Sequence, residues 1–125
     1  MVLQESVDCL SSFFELVAKH KDQKIVYALF CGGSDSATGE SWCPDCVSAE
    51  PVIEKGLAGA PEDAVFIKCS VGDRTSWKDP NNEFRVNEKL RLKGVPTLLQ
   101  MNSPKKLVEE DCSNADLVEM FFQDD

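Results

Sequence analysis

The segment Ile25-Val26-Tyr27-Ala28-Leu29-Phe30 limits the possible folds of this chain more than any other. It is rich in β-branched and aromatic residues, and apolar at successive rather than alternate positions. Such a strand cannot leave one face in water, so it belongs at the centre of a sheet covered on both faces. The apolar run ends at Cys31 after seven residues, far short of the ~20 needed to cross a bilayer.

Covering both faces requires amphipathic helices, and the sequence supplies them. Val7, Leu10, Phe14, Val17 and Ala18 recur at helical spacing and predict a helix over residues 8–20. Residues 32–39, Gly-Gly-Ser-Asp-Ser-Ala-Thr-Gly, read as a loop. Val47, Ala49, Val52, Ile53 and Leu57 predict a helix reaching about residue 59, with Pro51 inside it. Residues 64–71 read as a second strand, 72–82 as a loop and 83–89 as a short helix. Residues 95–101 and 106–109 form a hairpin across Asn102-Ser103-Pro104-Lys105. Ser113 or Asn114 caps a last helix carrying Leu117, Val118, Phe121 and Phe122, and the tail Gln123-Asp124-Asp125 is expected to be solvated. The order α-β-α-β-α-β-β-α predicts an α/β fold: a central mixed sheet flanked by helices on both faces. The 125 residues suit a single domain over 1–125.

Charge narrows the partners. Thirteen Lys and Arg stand against 22 Asp and Glu, a net charge of -9, which disfavours nucleic acid and anionic membrane surfaces. The start, Met1-Val2-Leu3-Gln4-Glu5-Ser6-Val7-Asp8, lacks the basic and apolar regions of a signal peptide. A cytoplasmic protein is therefore expected, and cytoplasmic thiols are kept reduced. The six cysteines, at 9, 31, 43, 46, 69 and 112, are not read as three staples.

One pair is closely spaced: Cys43-Pro44-Asp45-Cys46, behind Trp42. A cysteine at a helix N-terminus meets free N–H groups and the positive end of the macrodipole, which predicts a depressed thiol pKa. Pro44 suits the first helical position. Cys46, about one turn on, lies within disulfide reach. Cys43 is thus the candidate nucleophile on a substrate disulfide, and Cys46 the candidate resolving thiol. Asp45 opposes this by placing a carboxylate in the same potential. The plain alternatives are two unpaired buried thiols or a zinc half-site, but zinc needs four ligands and the sequence holds no second close pair and one histidine, His20. Trp42 reads as a partly exposed site residue. Cys9, Cys31, Cys69 and Cys112 read as small buried apolar residues. Cys31, where a strand leads into a loop, stands nearer the motif. His20 reads as a solvated or capping residue at a helix end, and Trp77 and Lys78 as part of a surface loop.

Trp42-Cys43-Pro44-Asp45-Cys46, Pro51 eight residues after Cys43, and Gly94-Val95-Pro96-Thr97 together resemble thioredoxin. The resemblance implies a thioredoxin-like fold, a cis bond before Pro96, and a substrate-pairing backbone at Val95. Ala49-Glu50-Pro51, Trp77-Lys78-Asp79-Pro80-Asn81-Asn82 and Val95-Pro96-Thr97-Leu98-Leu99 sharpen the match. With them the chain resembles the 14 kDa thioredoxin-related family, thioredoxin domain-containing protein 17. That likeness implies a cytosolic monomer with no bound cofactor. It also implies reduction of cystine-like small disulfides and selected proteins, with electrons arriving from NADPH through thioredoxin reductase. Peroxidase activity or a non-catalytic adaptor role in redox signalling are the alternatives. One departure stands out. Thioredoxin's buried central-strand aspartate matches Ala28 here, and Lys68, the match for its partner lysine, is expected to point elsewhere. The loops over 32–41 and 72–82 are expected near the active-site end, where with Glu40, Asp45 and Glu50 they would narrow the substrate range.

Overall fold

The computed structural model describes residues 2–23 and 25–123; the acidic residues Asp124 and Asp125 lie outside the described residues. In chain order the elements are β1 (Leu3–Val7), α1 (Leu10–Lys19), β2 (Val26–Cys31), α2 (Pro44–Leu57), β3 (Val65–Ser70), α3 (Arg74–Lys78) and α4 (Glu83–Val86). There follow β4 (Thr97–Gln100), β5 (Lys106–Val108), a 3-10 turn (Glu109–Ser113) and α5 (Ala115–Phe122). The strands form one sheet in the order β1-β3-β2-β4-β5. Strands β1, β3 and β2 run parallel, β4 pairs antiparallel with β2, and β5 antiparallel with β4. As the sequence predicts, β2 is central and all six of its residues are buried.

Alternation along β2 sorts the two faces. Phe30 meets Phe13 of α1 at 5.0 Å and Phe84 of α4 at 5.9 Å between ring centroids. Tyr27 points the other way and meets Phe122 of α5 at 4.9 Å. Helix α2 lies on that second face, burying Cys46, Ala49, Ile53 and Leu57 at helical spacing. It runs through Pro51. Asn114, not Ser113, caps α5, its side-chain oxygen accepting from the Leu117 N–H at 3.1 Å.

Two elements depart from the sequence reading. Leu3–Val7 is an edge strand on β3; its exposed, polar Leu-Gln-Glu-Ser-Val pattern carries little apolar alternation, so pairing rather than burial makes it a strand. Arg74–Lys78, read as loop, is a short helix whose start Asp73 caps by accepting from the Ser76 N–H at 2.8 Å. Trp77 is consequently buried, with the Arg85 guanidinium 4.0 Å from its ring centroid. His20 is the C-cap of α1, one of the two roles read for it, and it is buried rather than solvated. Its Nε2 lies 2.6 Å from Glu5 Oε2 on β1, and that contact holds the Glu5 carboxyl below its ordinary range. Cys69 and Cys112 are fully buried as expected, whereas Cys9 is partly exposed at the start of α1.

Candidate active site

The cysteine motif sits where β2 hands the chain to α2, and residues 32–41 make that delivery rigid. Ser34 and Ser41 form an isolated antiparallel bridge. The Asp35 N–H donates to the Glu40 carbonyl at 2.6 Å and the Trp42 N–H to the Gly33 carbonyl at 3.1 Å. Ser41 Oγ donates to the Gly32 carbonyl at 2.8 Å and accepts from the Cys43 N–H at 3.2 Å. This loop folds back on itself, and it lies beside the motif where the sequence reading expects it.

Cys43 is the N-cap of α2 and Pro44 its first residue. In place of an oxygen, the cap is a sulfur: Cys43 Sγ accepts from the Cys46 N–H at 3.2 Å. The same thiol donates to the Val95 carbonyl at 3.5 Å. The Val95–Pro96 bond is cis, and Thr97 Oγ1 ties the turn to the Gly94 carbonyl at 2.7 Å. Trp42, Cys43, Cys46, Val95 and Pro96 are thus brought to one place. Pro44 and Asp45 are exposed on its rim.

The depressed Cys43 pKa expected from the helix end is not what the closed, reduced site holds. Burial and the Cys46 thiol push Cys43 up to about 12, and Asp45 adds to the rise; the Cys46 N–H works against it. Cys43 is 5% exposed, so loss of water outweighs one turn of helix dipole. The thiol of Cys31, then burial, push Cys46 higher still.

Trp42 is half-buried, as predicted, and the structure shows what holds it. Its Nε1–H donates to the Gly72 carbonyl at 2.8 Å. A Cβ on Gly32 would stand 2.5 Å from Trp42 Cε2, so only glycine leaves room for the indole. Gly72 has φ 96°, in the left-handed region that glycine occupies without strain. The Arg74 guanidinium stands 5.9 Å from the Trp42 ring centroid. Gly32, Gly72 and Arg74 escape sequence reasoning, since nothing local links residues so far apart to Trp42.

Behind Cys46 the structure revises one assignment. Ala28 shares the face of Phe30, turned toward α1, and cannot back the cysteines. Leu29 is in register with Lys68 and, with Cys31, Cys46, Glu50 and Lys68, lines a cleft of about 390 Å³ between β2, β3 and α2. The place behind Cys46 is therefore still without a strand carboxylate, but it belongs to Leu29. Lys68 does not point away, as expected, but into this cleft, 4.0 Å from the Glu50 carboxylate. The strand group with the largest effect on the Cys46 thiol is Cys31, which raises its pKa. Among the described residues no three His, Cys, Asp or Glu side chains converge as a metal would require.

Comparison with known proteins agrees with this architecture. The thioredoxin domain of the thioredoxin domain-containing protein 17-like family matches residues 6–124. Thioredoxin domain-containing protein 17 of Mus musculus is 52% identical over 90% of this chain and 89% of its own length. The Homo sapiens protein of that name is 50% identical over 96% and 94%. Reduced Schistosoma mansoni thioredoxin pre-protein superposes with a TM-score of 0.60 at 17% identity, covering 98% of this chain and 100% of that one, which establishes a shared thioredoxin fold. Sequence and architecture agree: this chain belongs to the thioredoxin domain-containing protein 17-like family.

Proposed function

We propose that this chain is a cytoplasmic, monomeric disulfide reductase that acts on cystine-like small disulfides and selected protein disulfides. Membership in a thioredoxin-like family supports a thiol–disulfide oxidoreductase role in the broad sense. The observation that carries the finer reading is the Cys46 N–H set 3.2 Å from the Cys43 sulfur, at the start of α2.

In the resting site Cys43 is a thiol. Charge grows on its sulfur as it attacks a substrate disulfide, and there the Cys46 N–H and the helix end are already aimed at it. The Val95 carbonyl, now bonded to the Cys43 thiol, is freed as the proton leaves. The Cys43–substrate bond forms and one substrate thiol departs. Cys46 then attacks Cys43, closing the Cys43–Cys46 disulfide and releasing the second thiol. Trp42 and the turn at Val95 and Pro96 shape the approach. Thioredoxin reductase, with electrons from NADPH, restores the dithiol, and the chain itself needs no bound cofactor.

The test is NADPH consumption with cystine, thioredoxin reductase and this protein. Turnover is expected for the wild type and lost in Cys43→Ser. Cys46→Ser should instead accumulate adducts on Cys43 that dithiothreitol releases. Turnover by Cys43→Ser at the wild-type rate would remove the reading. Peroxide-dependent NADPH consumption without disulfide turnover would replace it with a peroxidase, and neither activity would leave an adaptor.

A further inference from the structure

Cys46 has thiols on two sides. Cys43 lies toward the turn at Val95, and Cys31, the last residue of β2, lies toward the sheet. Alternation along β2 puts Cys31 on the α2 face with Leu29, and both sulfur-bearing residues, Cys31 and Cys46, line the same open cleft with Ser41, Glu50, Lys68 and Ser70. The Cys31 thiol is the foremost influence raising the Cys46 pKa, and on the other side the Cys46 N–H donates to the Cys43 sulfur at 3.2 Å. The three sulfurs thus form a relay with Cys46 in the middle. Disulfide exchange uses that order: an attacking sulfur, a central sulfur and a leaving sulfur.

We propose that Cys31 is a third redox thiol of this site, which exchanges with the Cys43–Cys46 disulfide to give a Cys31–Cys46 disulfide and free Cys43. The inference rests on the reading that Cys43 and Cys46 form a disulfide during turnover. Cys31 gives up its thiol proton to the cleft. The Cys31–Cys46 bond forms as the Cys43–Cys46 bond breaks, and the electron pair goes to the Cys43 sulfur, which takes up a proton. Nothing is oxidised or reduced overall, so no further reagent is needed. The product is an oxidised form with the outer thiol free and its resolving partner occupied. A substrate caught on Cys43 in that form stays bound until the inner bond is reversed.

A protease cutting after glutamate separates Cys31, in residues 16–40, from Cys43 and Cys46, in residues 41–54, since the Glu50–Pro51 bond resists cleavage. Oxidised wild-type protein is held with iodoacetamide under native conditions, digested without reductant and weighed by mass spectrometry. The expected species is the two peptides joined by a disulfide, with Cys43 alkylated, growing with exposure time and lost in Cys31→Ala. In Cys43→Ser oxidised with glutathione disulfide, the two peptides should be joined directly through Cys31 and Cys46. Absence of the alkylated, joined species from wild type overturns the proposal, whatever Cys43→Ser does. Cystine turnover measured on the same wild-type sample separates the two readings: turnover without the joined species removes the Cys31 exchange and leaves the reductase intact.

Discussion

The Cys46 amide reaches back to the Cys43 sulfur at 3.2 Å, so the side chain of the outer cysteine caps the backbone of the inner one. A Ser or Asp in that place would accept the same N–H with oxygen. Sulfur in the N-cap position makes the group that ends the helix identical with the group that is proposed to react. Any change in charge on Cys43 is therefore felt by the first turn of α2, where Asp45 stands.

Asp45 supplies the first prediction. Its exposed carboxylate raises the Cys43 pKa, so Asp45→Asn should lower it and increase the thiolate fraction at any pH below the pKa. Half a pH unit would raise the alkylation rate of Cys43 at pH 7.5 about three-fold. The substitution also removes a favourable first-turn charge, a loss of about 0.5 kcal/mol. Iodoacetamide kinetics followed by peptide mapping decide the matter; an unchanged or slower rate would show that Asp45 does not act on the sulfur.

Gly32 supplies the second. An alanine there would press its Cβ onto the Trp42 indole, whose other edge is held by the Gly72 carbonyl at 2.8 Å. The indole must leave that bond or the β2–α2 loop must shift. Overpacking of this kind costs about 1–3 kcal/mol. Gly32→Ala should lower the urea midpoint accordingly and slow cystine-dependent NADPH consumption more than the lost stability explains. Wild-type values for both would mean that Trp42 has room the structure does not show.

What could be read from the sequence follows the range of the forces involved. The central strand declares itself because burial on both faces removes every polar residue from it. The motif and the start of α2 are local, and Pro44 with the two cysteines spells them out. Strand β1 does not, because an edge strand of Leu-Gln-Glu-Ser-Val is held by backbone bonds to β3 that any sequence can make. Helix α3 is too short for periodicity, and its Asp73 cap shows only once the turn is known. The burial of His20 depends on Glu5, which an unrecognised strand carries. Ala28 and Leu29 are adjacent, and a slip of one residue moves a side chain to the opposite face; register with Lys68 decides between them. That Cys31 and Cys46 line one cleft is a matter of how β2 and α2 pack, which no spacing in the chain reveals.

Burial of the thiols makes stability depend on pH in a definite direction. Burial pushes Cys69 and Cys112 from 9.0 up to about 12. Between those values the unfolded chain loses thiol protons that the native state keeps, so the native state binds more protons and stability falls as pH rises. Below about pH 9 the contribution is constant; by pH 10 each fully buried thiol lowers stability by roughly 1 kcal/mol. Cys69→Ala leaves a small cavity and should unfold at lower urea than wild type at pH 7.5. At pH 10 the gap should narrow, because the variant has lost one of the groups that penalise high pH. A constant gap would mean that Cys69 ionises alike in both states, and a widening one that folding lowers its pKa; either result overturns the upward shift.

Gly56 sets two effects of opposite sign against each other. It lies inside α2, where alanine gains roughly 0.5–1 kcal/mol in helix propensity. Yet a Cβ there would stand 2.6 Å from Val118 Cγ1 and 3.1 Å from Phe122 Cδ2 across the α2–α5 contact. Val118 is 0% exposed and Phe122 1%, and Val118 is β-branched, so neither side chain can swing into solvent. Overpacking of about 1–3 kcal/mol should exceed the propensity gain, and Gly56→Ala should come out destabilised by about 1 kcal/mol in urea unfolding. Val118→Ala removes the methyl that the new Cβ would meet. In the double variant Gly56→Ala should then cost little or turn stabilising, giving a coupling of at least about 1 kcal/mol between the two sites. Additive effects would show that α5 withdraws from α2 without loss, and that glycine at this position is not required by the close approach of the two helices.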